Sequence, residues 1–219
     1  MPVVTIRPYQ EQDEAAIEEI VYRTGYNGED LTGLNYIDDK RLFFLIFAAY
    51  YVWHEPQHCF VAVDTDTNKV VGYIFGTTDT AAQEARSARL MNWRIYLHAF
   101  LVTSWRYPQT FRTLWQMRKM EPESKGNNAN DVVAKYPAHL HINVLPEYHG
   151  RGIGSQLIKR FEEHLIRLGV RGVHLETSNY NHKALPFYKK MGYTTMRELK
   201  LKSHPKLADF TVVFFAKTF

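Results

Sequence analysis

Apolar positions recur with two periods along the chain, and the switches between them outline an alternation of strands and helices. Residues 3–8 read as a short strand. Asp13 follows as a helix cap, ahead of Ala16, Ile17, Ile20 and Val21, whose i, i+1, i+4, i+5 spacing makes one helical face. Gly25, Asn27, Gly28 and Gly33 end that helix in a loop, and a second helix is predicted over 39–53, stopped before Pro56. Residues 58–63 and 70–77 read as strands joined by the polar turn 64–69. From 80 to 133 the pattern is mostly helical, with 81–96 free of Gly and Pro and 105–120 broken near Pro108. The polar stretch 123–130 is a loop, expected to be the most mobile part of the chain.

The last third is the most regular. A strand over 139–145 leads into a glycine-rich turn over 146–154. The helix 155–168 carries Leu157, Ile158, Phe161, Leu165 and Leu168 on one stripe and is stopped by Gly169. A strand over 172–177, a short helix over 183–191 and two closing strands over 193–202 and 210–219 complete the chain. The order is βα(α)ββ, a helical excursion over 80–137, then βαβαββ. With no repeat and no linker, the expectation is one α/β domain over 1–219.

Composition narrows the class. Of 219 residues, 45% are hydrophobic and 23% charged, an ordinary globular balance that excludes disorder as the main description. The formal net charge of +4 is too small a surplus to argue for nucleic acid. Cys59 is the one cysteine, so neither a disulfide framework nor a Cys-rich zinc site is available, and a reducing, cytoplasmic setting is expected. In a strand among Phe60, Val61 and Ala62 it reads as a buried small hydrophobe. Residues 1–7 show no basic segment followed by an apolar one, so no secretory signal is expected. The apolar run 42–53 is shorter than the roughly 20 residues a bilayer requires and reads as a buried helix, so no membrane partner is expected. The aromatic residues gather at Phe43, Phe44, Phe47, Tyr50, Tyr51 and Trp53 and at Trp93, Tyr96 and Phe100. Most read as core, with some left to line a substrate cleft or the face of a homodimer.

The segment 139–155, HLHINVLPEYHGRGIGS, places a glycine-rich turn between a strand and a helix. Glycines there let backbone approach a ligand, and the free N–H groups of the helix's first turn favour an anion. Gly150, Gly152 and Gly154 alternate and Arg151 adds a cation, so a pyrophosphate fits. The Walker A pattern needs a lysine before Ser155, where Gly154 stands, and the dinucleotide fingerprint needs a different glycine spacing. Both readings weaken accordingly.

These residues resemble the GNAT superfamily of acetyl-CoA-dependent N-acetyltransferases. The family's loop, Q/R-x-x-G-x-G/A, is matched by His149-Gly150-Arg151-Gly152-Ile153-Gly154, with His149 in place of Gln or Arg. Residues 144–148 before the loop also look like the family. A second segment, Asn181 to Tyr193, matches N-x-x-A-x-x-F/L-Y-x-x-x-G-F/Y through Asn181, Ala184, Phe187, Tyr188 and Gly192. A narrower likeness lies in residues 6–9, 72–77 and 136–142. They look like the acetyltransferase-like domain that O-GlcNAcases carry at their C-terminus and its free-standing microbial relatives.

The resemblance implies a mixed sheet of about seven strands flanked by helices, with a long helical insertion between the third and fourth strands. It implies acetyl transfer from acetyl-CoA, as cosubstrate, to a primary amine in a ternary complex, with no metal. Cofactor contacts fall to Val144, Leu145, His149, Gly150, Arg151, Gly152, Ile153, Gly154, Ser155, Asn181 and Tyr188. A backbone N–H of Val144 or Leu145 is the oxyanion donor. Tyr188 is the proton donor to the leaving thiolate, against the plainer reading of an amphipathic core residue. Asn181 is a cofactor contact, a helix cap, or both. The general base stays open. His139, His141 and Asn143 share one strand face, and a histidine there has a suitable pKa. His141 and Glu176 are the residues chosen, with His139, Asp79 and a water relay as alternatives. His139 and His141 lack the third ligand a metal site needs. The acceptor is open, and a non-catalytic module that holds acetyl-CoA or a peptide is the competing class.

Overall fold

The computed structural model describes residues 4–122, 130–202 and 204–219. The polar loop expected at 123–130 therefore lies, apart from Asn130, outside the described residues. Seven strands form one mixed sheet: β1 (Val4–Pro8), β2 (Cys59–Asp64), β3 (Lys69–Thr77), β5 (Ala138–Val144), β6 (Gly172–Ser178), β7 (Thr194–Lys202) and β8 (Thr211–Thr218). A two-residue strand, β4 (Glu121–Pro122), pairs with β7 and extends the spatial order to β1-β2-β3-β5-β6-β8-β7-β4.

Every pairing is antiparallel except β5 with β6, which is in register only at Ala138↔Val173 and His139↔His174. Beyond those two positions the strands separate and open the sheet. The other edge of β5 stays closed along β3, from Thr77↔His139 to Gly72↔Val144. Gly76 sits where this pairing leaves no room for a side chain. A Cβ there would fall 2.0 Å from the His139 carbonyl oxygen and 2.8 Å from the Phe161 ring.

Side-chain alternation sends the two faces of β3 and β5 to different partners. Gly76 faces Phe161 of α8 (Ile153–Arg167), whose Ile153, Leu157, Ile158, Phe161 and Leu165 are buried. Tyr73, Phe75, His139 and His141 face the other way, toward α3 (Ala49–His54), where Tyr51 stacks on Phe75 at 4.7 Å. α1 (Glu14–Arg23) and α2 (Lys40–Phe47) pack on that same side. The core runs through Phe44, Phe75, Phe161 and Phe215, all fully buried.

Local chemistry explains most boundaries, and four expectations change. Asp13 does not cap α1. It closes a 3₁₀ turn (Glu11–Asp13) by accepting from the Gln10 N–H and pairs with Arg7 at 2.7 Å. The helix expected over 39–53 breaks at Ala48 (φ −132°) into α2 and α3, although no Gly or Pro marks the break. The two helices bury consecutive residues, Leu42 to Leu45 and Ala49 to Val52, so neither presents a single apolar stripe.

In the excursion, α4 (Thr80–His98) is capped by Asp79, whose carboxylate accepts from the Ala82 N–H. It continues through a π turn (Ala99–Thr103) into α5 (Ser104–Arg106), and Pro108 opens α6 (Pro108–Met117) instead of interrupting a helix. α7 (Asn130–Lys135) precedes β5. The aromatic residues of α4 and the π turn are not core: Trp93, Tyr96 and Phe100 are 55%, 69% and 71% exposed, with Trp105 beyond them at 86%. Their neighbours on the inner side are Met91, Thr103 and Thr110, all buried. Among the described residues no helix is long and apolar enough to cross a membrane.

Candidate active site

Two cavities meet where β5 leaves β6. The larger, about 500 Å³, has the glycine turn on one wall and α9 (Ala184–Lys190) on the other. Gly150 and Gly152 both adopt φ +76°, in the left-handed region that side chains resist, and Gly152 is the residue from which α8 springs. Gln156 makes the first backbone bond of α8, to the Gly152 carbonyl. The N–H groups of Ile153, Gly154 and Ser155 therefore have no partner within the helix, and the helix dipole adds partial positive charge at that end. All three residues line the cavity, as do Lys183 and Lys190. A polyanionic group fits this wall.

Asn181 joins the two readings the sequence offered for it. Its Oδ1 accepts from the Ala184 N–H and so caps the turn into α9, while the residue also lines both cavities. Tyr188 is buried in the wall of the larger cavity. Burial pushes its phenol pKa up, so the hydroxyl stays protonated at neutral pH, and it makes no hydrogen bond among the described residues. His149 lines the same cavity and bonds the Val144 carbonyl through Nε2 at 2.8 Å.

Not every expected contact comes together. Leu145 is spent locally: its N–H donates to the Val71 carbonyl and its own carbonyl accepts from Tyr148. That bond also fixes the pleat. Residues 139, 141, 143 and 145 direct their backbone groups toward β3, so 140, 142 and 144 direct theirs to the opening. Of the two oxyanion candidates, Val144 is the one whose N–H faces the gap. Arg151 is exposed and is not part of the cavity wall. Its guanidinium lies over the Tyr148 ring at 4.8 Å and donates to the Glu147 carbonyl.

The second cavity, about 260 Å³, lies on the α1–α2 side and shares Thr24, Gly28, Asn143 and Asn181 with the first. Seven of its lining residues are Tyr or Phe. His141 stands open to it beside Asn143, whose Nδ2 donates to the Tyr73 hydroxyl at 2.7 Å.

Behind His141 runs a hydrogen-bonded chain whose proton positions follow from one another. Thr80 Oγ1 donates to the Pro137 carbonyl at 2.7 Å, so it accepts from His139 Nδ1 at 2.8 Å. His139 Nε2 is then an acceptor, taken by the Tyr51 hydroxyl at 2.6 Å. Tyr51 in turn accepts from His141 Nε2 at 3.2 Å. His141 is thereby held with its proton on Nε2 and a free lone pair on Nδ1. Enclosure by the cleft walls lowers the His141 pKa to about 4, helped by His174, so the ring is neutral at neutral pH. Burial also lowers the His139 pKa well below the usual imidazole value, with His141 and His174 adding to it. Neither Thr80 nor Thr24 carried a sequence signal, and Tyr51 was legible only as one of a cluster of aromatic residues, because each sits far from the glycine motif.

Glu176 shares the β6 face with His174 but lines neither cavity. The protein around it, and then Glu84, raise its carboxyl pKa. Asp79 is occupied as the α4 cap. Cys59 is buried, its thiol donating to the Glu55 carbonyl and its pKa pushed up by burial.

Comparison with known proteins bears on this geometry. Residues 116–193 match the family model described as Acetyltransferase (GNAT) family. The crystal structure of SsHAT superposes with a TM-score of 0.70 at 31% identity, over 99% of this chain and 98% of that one. The chain belongs to the GNAT acetyltransferase family. The expected GNAT fold, seven main strands with flanking helices, is borne out with it. An acetyltransferase of Pectobacterium atrosepticum is 32% identical over 78 residues, which is 34% of this chain and 55% of that protein. The match thus spans about half the length of that relative. A putative acetyltransferase from Salmonella typhimurium, solved with its cofactor acetyl-CoA, shares the fold at 15% identity, with a TM-score of 0.57 over 99% of this chain and 94% of that one. The GNAT family match covers both segments on which the resemblance was drawn, the glycine turn and the stretch from Asn181 to Tyr193.

Proposed function

We propose that this protein transfers an acetyl group from acetyl-CoA directly to a primary amine, with both substrates bound at once. The carrying observation is the meeting of two cavities at Asn143 and Asn181: one has an anion-binding wall and a buried phenol, the other an open imidazole. The solved Salmonella relative contains acetyl-CoA, and the wall here suits its phosphates: the amides of 153–155 with Lys183 and Lys190.

The chemistry needs four things from the protein. The amine must be neutral when its nitrogen attacks the thioester carbon. Val144 N–H, facing the gap, stabilises the oxyanion that forms. As the C–N bond forms, His141 Nδ1 takes a proton from the nitrogen, whose acidity rises steeply once it is bonded to the acyl carbon. As the C–S bond breaks, the sulfur receives the Tyr188 hydroxyl proton, and the products are an amide and a thiol. Tyr51 acts through His141: it holds the Nε2 proton and so keeps Nδ1 free.

The reading is tested by calorimetric titration and by an assay of thiol release. Acetyl-CoA is expected to bind while ATP does not, and thiol release is expected to require an amine. Binding without turnover across a broad amine panel would instead mark a non-catalytic module. A second expectation concerns pH. Because the active form of His141 is neutral and its pKa is about 4, activity is lost only as pH falls through about 4. The kcat/KM profile should therefore be flat from pH 5 to 7 at a fixed fraction of neutral amine, and His141→Gln should lower kcat by roughly 10²-fold. An acidic limb that persists in His141→Gln would assign the base to another group.

A further inference from the structure

The second cavity defines what kind of amine the enzyme accepts. Tyr26, Tyr36, Phe43, Phe47, Phe75 and Phe210 bring six rings to its wall. Several of its polar side chains already have partners. Thr24 donates to the Ile20 carbonyl, Asn27 accepts from Ser178, and Tyr36 is within 3.3 Å of His204 Nε2. Among the described residues that line it there is no Asp or Glu. An acceptor with a second positive charge would find no carboxylate to pair with, and the Lys206 ammonium already lies 5.1 Å over the Tyr36 ring. An aromatic or branched apolar group would instead bury its surface against rings.

Size agrees. An apolar cavity of roughly 150 Å³ holds a benzene. At about 260 Å³ this one has room for a ring and a short arm, and it opens toward the acyl site through Asn143 and Asn181. The same surroundings disfavour an ammonium and so favour the neutral, nucleophilic amine. That also eases the demand on His141, an imidazole already held neutral by its setting. Asn143 gives its Nδ2 to Tyr73 and keeps its Oδ1 as an acceptor for an amine N–H.

We propose that the acceptor is a small monoamine carried on an aromatic or branched apolar group, of the arylalkylamine kind, and that polycationic amines and lysine side chains in peptides are rejected. The proposal rests on the acetyltransferase reading for the reaction, though not for the binding.

The experiment uses the full chain and two readouts. In the first, 2-phenylethylamine, agmatine and a lysine-containing peptide are titrated by calorimetry without cosubstrate. In the second, thiol release from acetyl-CoA gives kcat/KM for each. The expected result is saturable binding of 2-phenylethylamine alone and a kcat/KM preference over agmatine of about 10²-fold or more. Phe47→Glu, at a ring that is 42% exposed at the cavity edge and so replaceable without disturbing the core, should shift that preference toward agmatine by about tenfold or more. Equal or better binding and turnover of agmatine or the peptide by the wild type overturns the proposal. Retained arylalkylamine binding in a protein that fails to bind acetyl-CoA would support the pocket while removing the transferase reading.

Discussion

Gly152→Asp is expected to weaken acetyl-CoA binding by about 10³-fold or more, read by calorimetry. Two costs combine. Gly152 has φ +76°, where a side chain costs roughly 1–2 kcal/mol and the helix start must shift to relieve it. The new carboxylate would stand at the amides of 153–155, where two like charges about 4 Å apart repel by about 4 kcal/mol at an intermediate dielectric. The strain alone can be separated from the charge. Gly169 ends the same helix with φ +75° and open space around its Cα, and it is far from the cavity walls. Gly169→Asp should therefore cost comparable stability and leave binding intact. Equal binding by Gly152→Asp and wild type would mean that the glycine turn is structural only.

Tyr188→Phe is expected to lower kcat by about 10²–10⁴-fold, the usual contribution of a general acid, with the acetyl-CoA dissociation constant nearly unchanged. The ring's packing would survive, since Phe keeps the contacts to Phe187, Tyr193 and Phe215. Only the hydroxyl is lost, and it has no hydrogen-bond partner among the described residues, so no structural bond goes with it. Stopped-flow separation of binding from thiol release is the measurement. A variant with wild-type kcat would return Tyr188 to the core and leave the leaving thiolate to solvent.

The site was unevenly legible. The glycine turn and the segment from Asn181 to Tyr188 could be read directly, because positive φ, free helix amides and a cap each demand particular residue types at fixed spacing. His141 could only be placed on a strand face. Its tautomer depends on Thr80, His139 and Tyr51, which come from three separate elements, so no spacing could reveal it. Leu145 and Arg151 were equally apt by motif. Leu145 is bonded to Val71 and Arg151 lies over Tyr148, and both are tertiary facts.

The sequence by itself determined most of the element order and the place of the glycine turn, because periodicity and turn chemistry are local properties of the chain, and its motifs carried the resemblance to the family. The tertiary structure alone decided three things. It decided the break at Ala48, which has no local breaker and separates two helices that bury consecutive residues, Leu42 to Leu45 and Ala49 to Val52. It decided the exposure of Trp93, Tyr96 and Phe100, since burial depends on which helix face meets another element and not on residue type. And it decided the aromatic cavity, whose walls come from α1, α2, β3 and the β7–β8 connection, segments that meet only when the sheet opens beside them.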